Sequence, residues 1–113
     1  MELVTSVNKM QGKALAARND GKLIGLVPTM GCLHKGHTSL MDEGRNRSDL
    51  LVATVFVNPV QFGVGEDFEK YPKNLARDMA IASDSGVDIL FAPSTAEMYP
   101  AGYQTYVNVE KIS

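Results

Sequence analysis

The chain has a single cysteine, no tryptophan, only two histidines and a net charge of −2. Each scarcity removes a class of protein. One cysteine forbids an internal disulfide and suits a reducing compartment. Near-balanced charge, with its basic residues scattered, lacks the basic face that a nucleic-acid or anionic-membrane partner requires. No apolar run reaches the length of a membrane span, and residues 1–20 lack the basic start and long apolar stretch of a signal peptide. A cytoplasmic protein with neither a membrane nor a nucleic-acid partner is therefore expected.

What remains is ordinary globular material: 113 residues, 44% apolar and 21% charged, enough for one core without metal or disulfide staples. Leu3, Val7, Met10, Ala14 and Ala17 recur at helical spacing, with Thr5 or Ser6 as a cap and Asn19-Asp20-Gly21 as a stop. The apolar run of Leu23–Thr29 is too short for a helix and predicts a strand. From Gly36 to about Arg47 the pattern is helical, with Leu40 and Met41 inward and Asp42, Glu43, Arg45 and Asn46 outward. Leu50–Val57 is apolar on both faces, as expected of a central strand in a parallel sheet covered by helices. Leu75, Met79 and Ala82 mark a further helix, and Val87–Phe91 a third buried strand. Tyr103–Val109 alternates like a half-exposed strand. Two successive crossover units imply an α/β fold: a Rossmann-like parallel sheet with flanking helices and right-handed connections. A doubly wound sheet usually has five or six strands. Residues 1–113 therefore read as a partial, truncated nucleotide-binding domain.

Ligands of such sheets bind beyond the carboxyl ends of the strands. The segment there is Pro28-Thr29-Met30-Gly31-Cys32-Leu33-His34-Lys35-Gly36-His37-Thr38. Gly31 and Gly36 permit close backbone approach to a ligand. The helix start behind them offers unpaired N–H groups and partial positive charge, an anion site. His34 and His37 flank Gly36, where both could donate to phosphate oxygens. Gly31-x-x-x-x-Gly36-His37-Thr38 has P-loop spacing but carries histidine where the lysine belongs, and neutral histidine lacks that permanent charge. The competing reading is His-x-Gly-His after a first strand, the mark of adenylating nucleotidyltransferases. The bland reading is a helix start with two incidental surface histidines.

Pro28-Thr29-Met30-Gly31-x-Leu33-His34-x-Gly36-His37-x-Ser39-Leu40 resembles the signature of the pantothenate synthetase (pantoate–β-alanine ligase) family. So do Phe56-Val57-Asn58-Pro59-x-Gln61-Phe62, Tyr71-Pro72, Phe91-Ala92-Pro93-Ser94 and Glu97-Met98-Tyr99-Pro100. The resemblance implies a ligase that uses ATP and Mg²⁺ to join pantoate and β-alanine through a pantoyl adenylate. It implies that Met30, Gly31, Cys32, Leu33, His34, Lys35, Gly36 and His37 line the ATP site. His37 is the implied proton donor, joined by His34 at the phosphates. Gln61, with Met30 and Tyr71, is implied at pantoate and β-alanine.

Several of these residues also have plainer readings. Gln61 outside its motif would be a solvated loop residue, and Asn58 could cap the turn begun by Pro59. Cys32 stands where the family commonly has a small residue, so it reads as a size substitute and not a nucleophile. Lys35 should point outward. Glu66, Asp67 and Glu69 read as a solvated loop face with a possible cation role. The family usually shows an acidic pair early in the helix after Tyr-Pro. Here that place is Arg77-Asp78, leaving Asp78 as the candidate metal ligand. The family's Lys-Asp-x-Gln segment, its Lys-Met-Ser-type loop and its C-terminal domain have no counterpart in residues 1–113. The chain is thus expected to be the N-terminal portion of the ligase, inactive alone and dimeric through this domain. The alternatives are another His-x-Gly-His adenylyltransferase and a non-catalytic nucleotide-binding module.

Overall fold

A computed structural model of the chain describes residues 1–56 and 74–98. Along the chain these form β1 (Glu2–Val4), α1 (Val7–Asn19), β2 (Ile24–Thr29), α2 (Lys35–Arg47), β3 (Leu50–Val55), α3 (Leu75–Asp84), β4 (Ile89–Phe91) and the short α4 (Thr95–Met98). The strands make one sheet in the order β1-β4-β3-β2, and each pairing is parallel. The expected α/β architecture is what the chain adopts.

Side-chain alternation along the strands divides the core in two. Leu51 and Ala53 of β3, Leu90 of β4 and Val27 of β2 meet Met41 of α2 and Ala82 of α3 on one face. Val52 and Ile89 point to the other face, with Val4, and there Met10 of α1 packs against them. β3 is covered on both faces, which is why its sequence is almost entirely apolar. β2 is the outer strand of the described sheet, a place where Pro28 is tolerated because an outer strand has one side without ladder bonds.

Three sequence readings change. Leu3, counted on the face of the first helix, belongs to β1, where it pairs with Leu90. A strand of three residues is too short to show its own period, and the step from Leu3 to Val7 imitates a helix turn. The helix starts after Ser6, whose hydroxyl accepts from the Lys9 N–H. Leu40, expected inward, is 58% exposed, whereas Met41 is fully buried. The inward stripe of α2 instead continues through Gly44. A Cβ there would lie 2.7 Å from Leu51 Cδ1, so the helix comes close to β3 only because that side chain is missing. Arg45, expected outward, is half-buried and bonded to Asp88. The strand bounds also contract, from Leu23 to Ile24 at the start of β2 and from Val57 to Val55 at the end of β3. The expected strand 103–109 lies outside the described residues.

Candidate functional site

β2 ends in a side chain that organises the turn into α2. The Thr29 hydroxyl donates to Thr54 O of β3 at 2.7 Å and accepts from Gly31 N–H at 3.1 Å. One hydroxyl thus ties the strand end to its neighbour and starts the turn. Gly31 (φ 91°) and Cys32 (φ 53°) then occupy the left-handed region in succession. That conformation costs a residue with a Cβ roughly 1–2 kcal/mol, so Cys32 must be held there by its surroundings.

The holding group is Asp78. Its carboxylate accepts from Cys32 N–H at 3.1 Å through Oδ2 and from Leu33 N–H at 2.9 Å through Oδ1. Asp78 is 1% exposed and stands in the first turn of α3, where the helix dipole favours an anion. Leu33, fully buried, plugs the core immediately after these bonds. The arrangement settles the P-loop alternative on physical grounds. A P-loop turns its backbone N–H groups toward phosphate, but here two of them turn inward to a carboxylate.

His34 and His37 open α2 as a reciprocal cap. His34 Nδ1 accepts from Gly36 N–H, and His37 Nδ1 accepts from His34 N–H, both at 3.1 Å. The rings sit 4.0 Å apart between centroids, tilted by 37°. A ring nitrogen that accepts must be unprotonated, so in each neutral imidazole the proton resides on Nε2. The fold therefore fixes one tautomer on both rings and leaves Nε2–H as the donor each can offer a ligand. Partial burial lowers the His37 pKa below the ordinary 6.5, the neighbouring His34 lowers it further, and the Asp78 carboxylate works in the opposite direction. Both causes of the lowering favour the neutral donor form.

Beyond the carboxyl ends of β2, β3 and β4 lies a cavity of about 290 Å³ that this loop reaches at Met30 and Gly31. Its walls include Met30, Gly31, Phe56, Ala92, Pro93 and Asp78, and they are mostly apolar. The sequence-based site residues thus separate into groups. Met30 and Gly31 face the cavity, His34 and His37 cap the start of α2 and are not among the residues lining it, and Leu33 belongs to the core. Lys35 and Gly36 are exposed in the first turn of α2, and Cys32 is half-buried. Gln61, Tyr71, Asn58, Glu66, Asp67 and Glu69 lie outside the described residues. Sequence reasoning missed the roles of Thr29 and Ser94. The Ser94 hydroxyl accepts from Glu97 N–H and starts α4 at the cavity's edge. A small hydroxyl residue followed by a helical run was the available signal for Ser94. Nothing local signalled the bond from Asp78 to Cys32, which spans 46 positions of sequence.

Asp78 also fits poorly as a metal ligand. Both of its oxygens already accept N–H bonds, and the Arg77 guanidinium stands 3.7 Å from Oδ1. Among the described residues no three His, Cys, Asp or Glu side chains are placed to hold a metal ion. No helix of the described residues is long and apolar enough to cross a membrane.

Comparison with known proteins gives one family. The pattern of pantoate-beta-alanine ligase matches residues 2–113. Pantothenate synthetase of Geotalea uraniireducens (strain Rf4) is 60% identical and that of Geotalea daltonii 62% identical, each over all 113 residues of this chain and 40% of its own length. The chain thus spans about 40% of the length of these curated relatives. Pantothenate synthetase from Thermus thermophilus superposes with a TM-score of 0.79 at 46% identity, over 92% of this chain and 36% of that one. Pantoate-beta-alanine ligase from Francisella tularensis, solved with beta-gamma ATP and beta-alanine, gives a TM-score of 0.78 at 36% identity, over 90% of this chain and 39% of that one.

Proposed function

The chain belongs to the pantoate-beta-alanine ligase family, and from that membership we propose that it supplies the nucleotide-phosphate side of an enzyme joining pantoate to β-alanine at the expense of ATP. In the first step a pantoate carboxylate oxygen bonds to the α-phosphorus of ATP, and the bond to the pyrophosphate oxygen breaks. In the second, the amine of β-alanine attacks the acyl carbon of the adenylate, loses a proton and displaces AMP. Neither step attaches the substrate to the protein, so the chain's task is to hold the reactants and stabilise charge.

The observation that carries this reading is the histidine pair locked through Nδ1 at the start of α2, a few residues after the cavity-lining Met30 and Gly31. Two neutral Nε2–H donors and the positive end of α2 suit phosphoryl oxygens on which charge accumulates as pyrophosphate departs. His37 is assigned the larger share and His34 the supporting one, with Met30, Gly31, Lys35 and Gly36 lining the phosphate path. Gln61 and Tyr71 are assigned to pantoate, because a glutamine amide can both donate to and accept from a hydroxy acid. Mg²⁺ is assigned to the ATP phosphates, which commonly carry it with few protein ligands. Residues 1–113 are read as the first part of the nucleotide-binding domain of a cytoplasmic homodimer, with the remaining phosphate and pantoate contacts supplied from outside this segment.

The test is AMP release by the full-length protein with ATP, pantoate and β-alanine. AMP formation that requires both acids is expected. Pyrophosphate release that proceeds equally well without pantoate would assign the site to another adenylyl transfer. Gln61→Ala is expected to weaken pantoate binding in calorimetric titration while ATP binding persists. Equal loss of both ligands would remove its specific role.

A further inference from the structure

We infer that Asp78 is a positioning residue of the nucleotide site: from α3 its carboxylate grips the backbone N–H groups of Cys32 and Leu33 and so aims the two histidines. The inference rests on the phosphate-site reading above and adds to it a residue whose task is to hold the loop.

Burying a carboxylate is costly unless its oxygens are satisfied. Asp78, at 1% exposure, is satisfied from 45 and 46 positions away in sequence, by Leu33 and Cys32. Those two N–H groups converge in a turn where Gly31 and Cys32 both have positive φ, making a concavity able to receive an anion. Here the chain's own carboxylate fills it. The fit is close on the glycine side too, since a Cβ on Gly31 would stand 3.3 Å from Asp78 Oδ2.

From this grip the bonds run without slack to the histidines. Leu33 N–H is held by Asp78, and His34 N–H, one residue on, is held by His37 Nδ1. His34 in turn holds Gly36 N–H. The orientation of both imidazoles is therefore registered to α3 and to the cavity wall that Asp78 shares with Met30 and Gly31. Displacing catalytic groups by about 1 Å can cost on the order of a hundredfold in rate, so a bond network that fixes the loop is felt in the chemistry.

The experiment uses the full-length protein and compares Asp78→Asn with Asn74→Ala. The second change removes the side-chain cap of α3, where Asn74 Oδ1 accepts from Arg77 N–H, and leaves the loop alone. An asparagine at 78 can accept only one of the two N–H groups and sets an N–H against the other. Expected for Asp78→Asn is a fall in kcat of roughly a hundredfold, with the KM for ATP and the Mg²⁺ activation constant little changed. The imidazole ¹⁵N signals of His34 and His37 should also move from their Nδ1-acceptor values. Asn74→Ala should lower Tm and leave both kcat and those signals in place. If Asp78→Asn does not fold, Asp78→Glu, which keeps the charge but shifts it by one methylene, is read by the same signals. Unchanged imidazole signals in a folded Asp78 variant overturn the inference, as does a raised Mg²⁺ requirement whose lost rate returns with excess Mg²⁺. Because the ¹⁵N signals need no turnover, they judge Asp78 even if the wild-type protein proves not to consume pantoate.

Discussion

The two ends of the sheet are each closed by an aspartate that accepts backbone N–H groups, yet they serve different ends. At the amino ends of the strands, Asp88 Oδ2 accepts from Leu51 N–H at 2.8 Å and from Arg45 Nη1 at 2.7 Å. Arg45 also donates to the carbonyl oxygens of Gly86, Ser48 and Asp49. This knot stitches the end of α2 to the starts of β3 and β4, and its bonds are made within the protein. At the carboxyl ends, Asp78 is far more deeply buried, and its bonds end on the N–H groups of Cys32 and Leu33, in the loop that leads into the two histidines. One end uses a charged network for closure. The other uses it to hold a loop still.

Three changes probe that contrast, in falling order of effect. His37→Ala in the full-length protein should lower kcat for adenylate formation by roughly a hundred- to a thousandfold, the usual cost of one preorganised donor. ATP binding should fall far less, because the interaction strengthens as charge develops. An unchanged kcat with only a raised KM for ATP would place His37 in ground-state binding and break the contrast. Arg45→Met should cost about 1–2 kcal/mol of stability, discounted because the Arg45–Asp88 pair is about one-third exposed. Its kcat and KM should match wild type below the melting range. Chemical denaturation with parallel kinetics measures both, and a rate loss out of proportion to the stability loss would merge the two ends into one functional unit.

The third and smallest effect is on pH dependence. His37 has a folded-state pKa below 6.5, so the unfolded chain takes up the proton first as pH falls. Stability from its neutral cap is present above about 6.5 and lost as pH falls through the lowered folded value. The acid limb of kcat/KM should accordingly have its midpoint below the ordinary histidine value. In Asp78→Asn it should move further acid, because that carboxylate opposes the lowering. An alkaline limb instead, with activity falling as pH rises through the histidine range and absent in His37→Ala, would show that the imidazolium is the working form.

Much of the fold was legible in the residues alone. The run Leu50–Val55, apolar but for Thr54, marked a strand covered on both faces, and the glycines and histidines between β2 and α2 marked the ligand edge. The errors share one cause. Leu3, Leu40 and Arg45 were placed by local periodicity, which cannot see a three-residue strand, a helix drawn in through Gly44, or an aspartate more than forty residues away.

The sequence by itself determined the parallel α/β architecture, the position of the loop and the family, because these rest on apolar period, turn residues and motif spacing. Only the tertiary structure decided which way the loop's N–H groups face, which tautomer each histidine holds and what Asp78 does. Those depend on directional hydrogen bonds of about 3 Å, and the partners of Cys32 and Leu33 at that range come from α3, which no local pattern in the loop specifies.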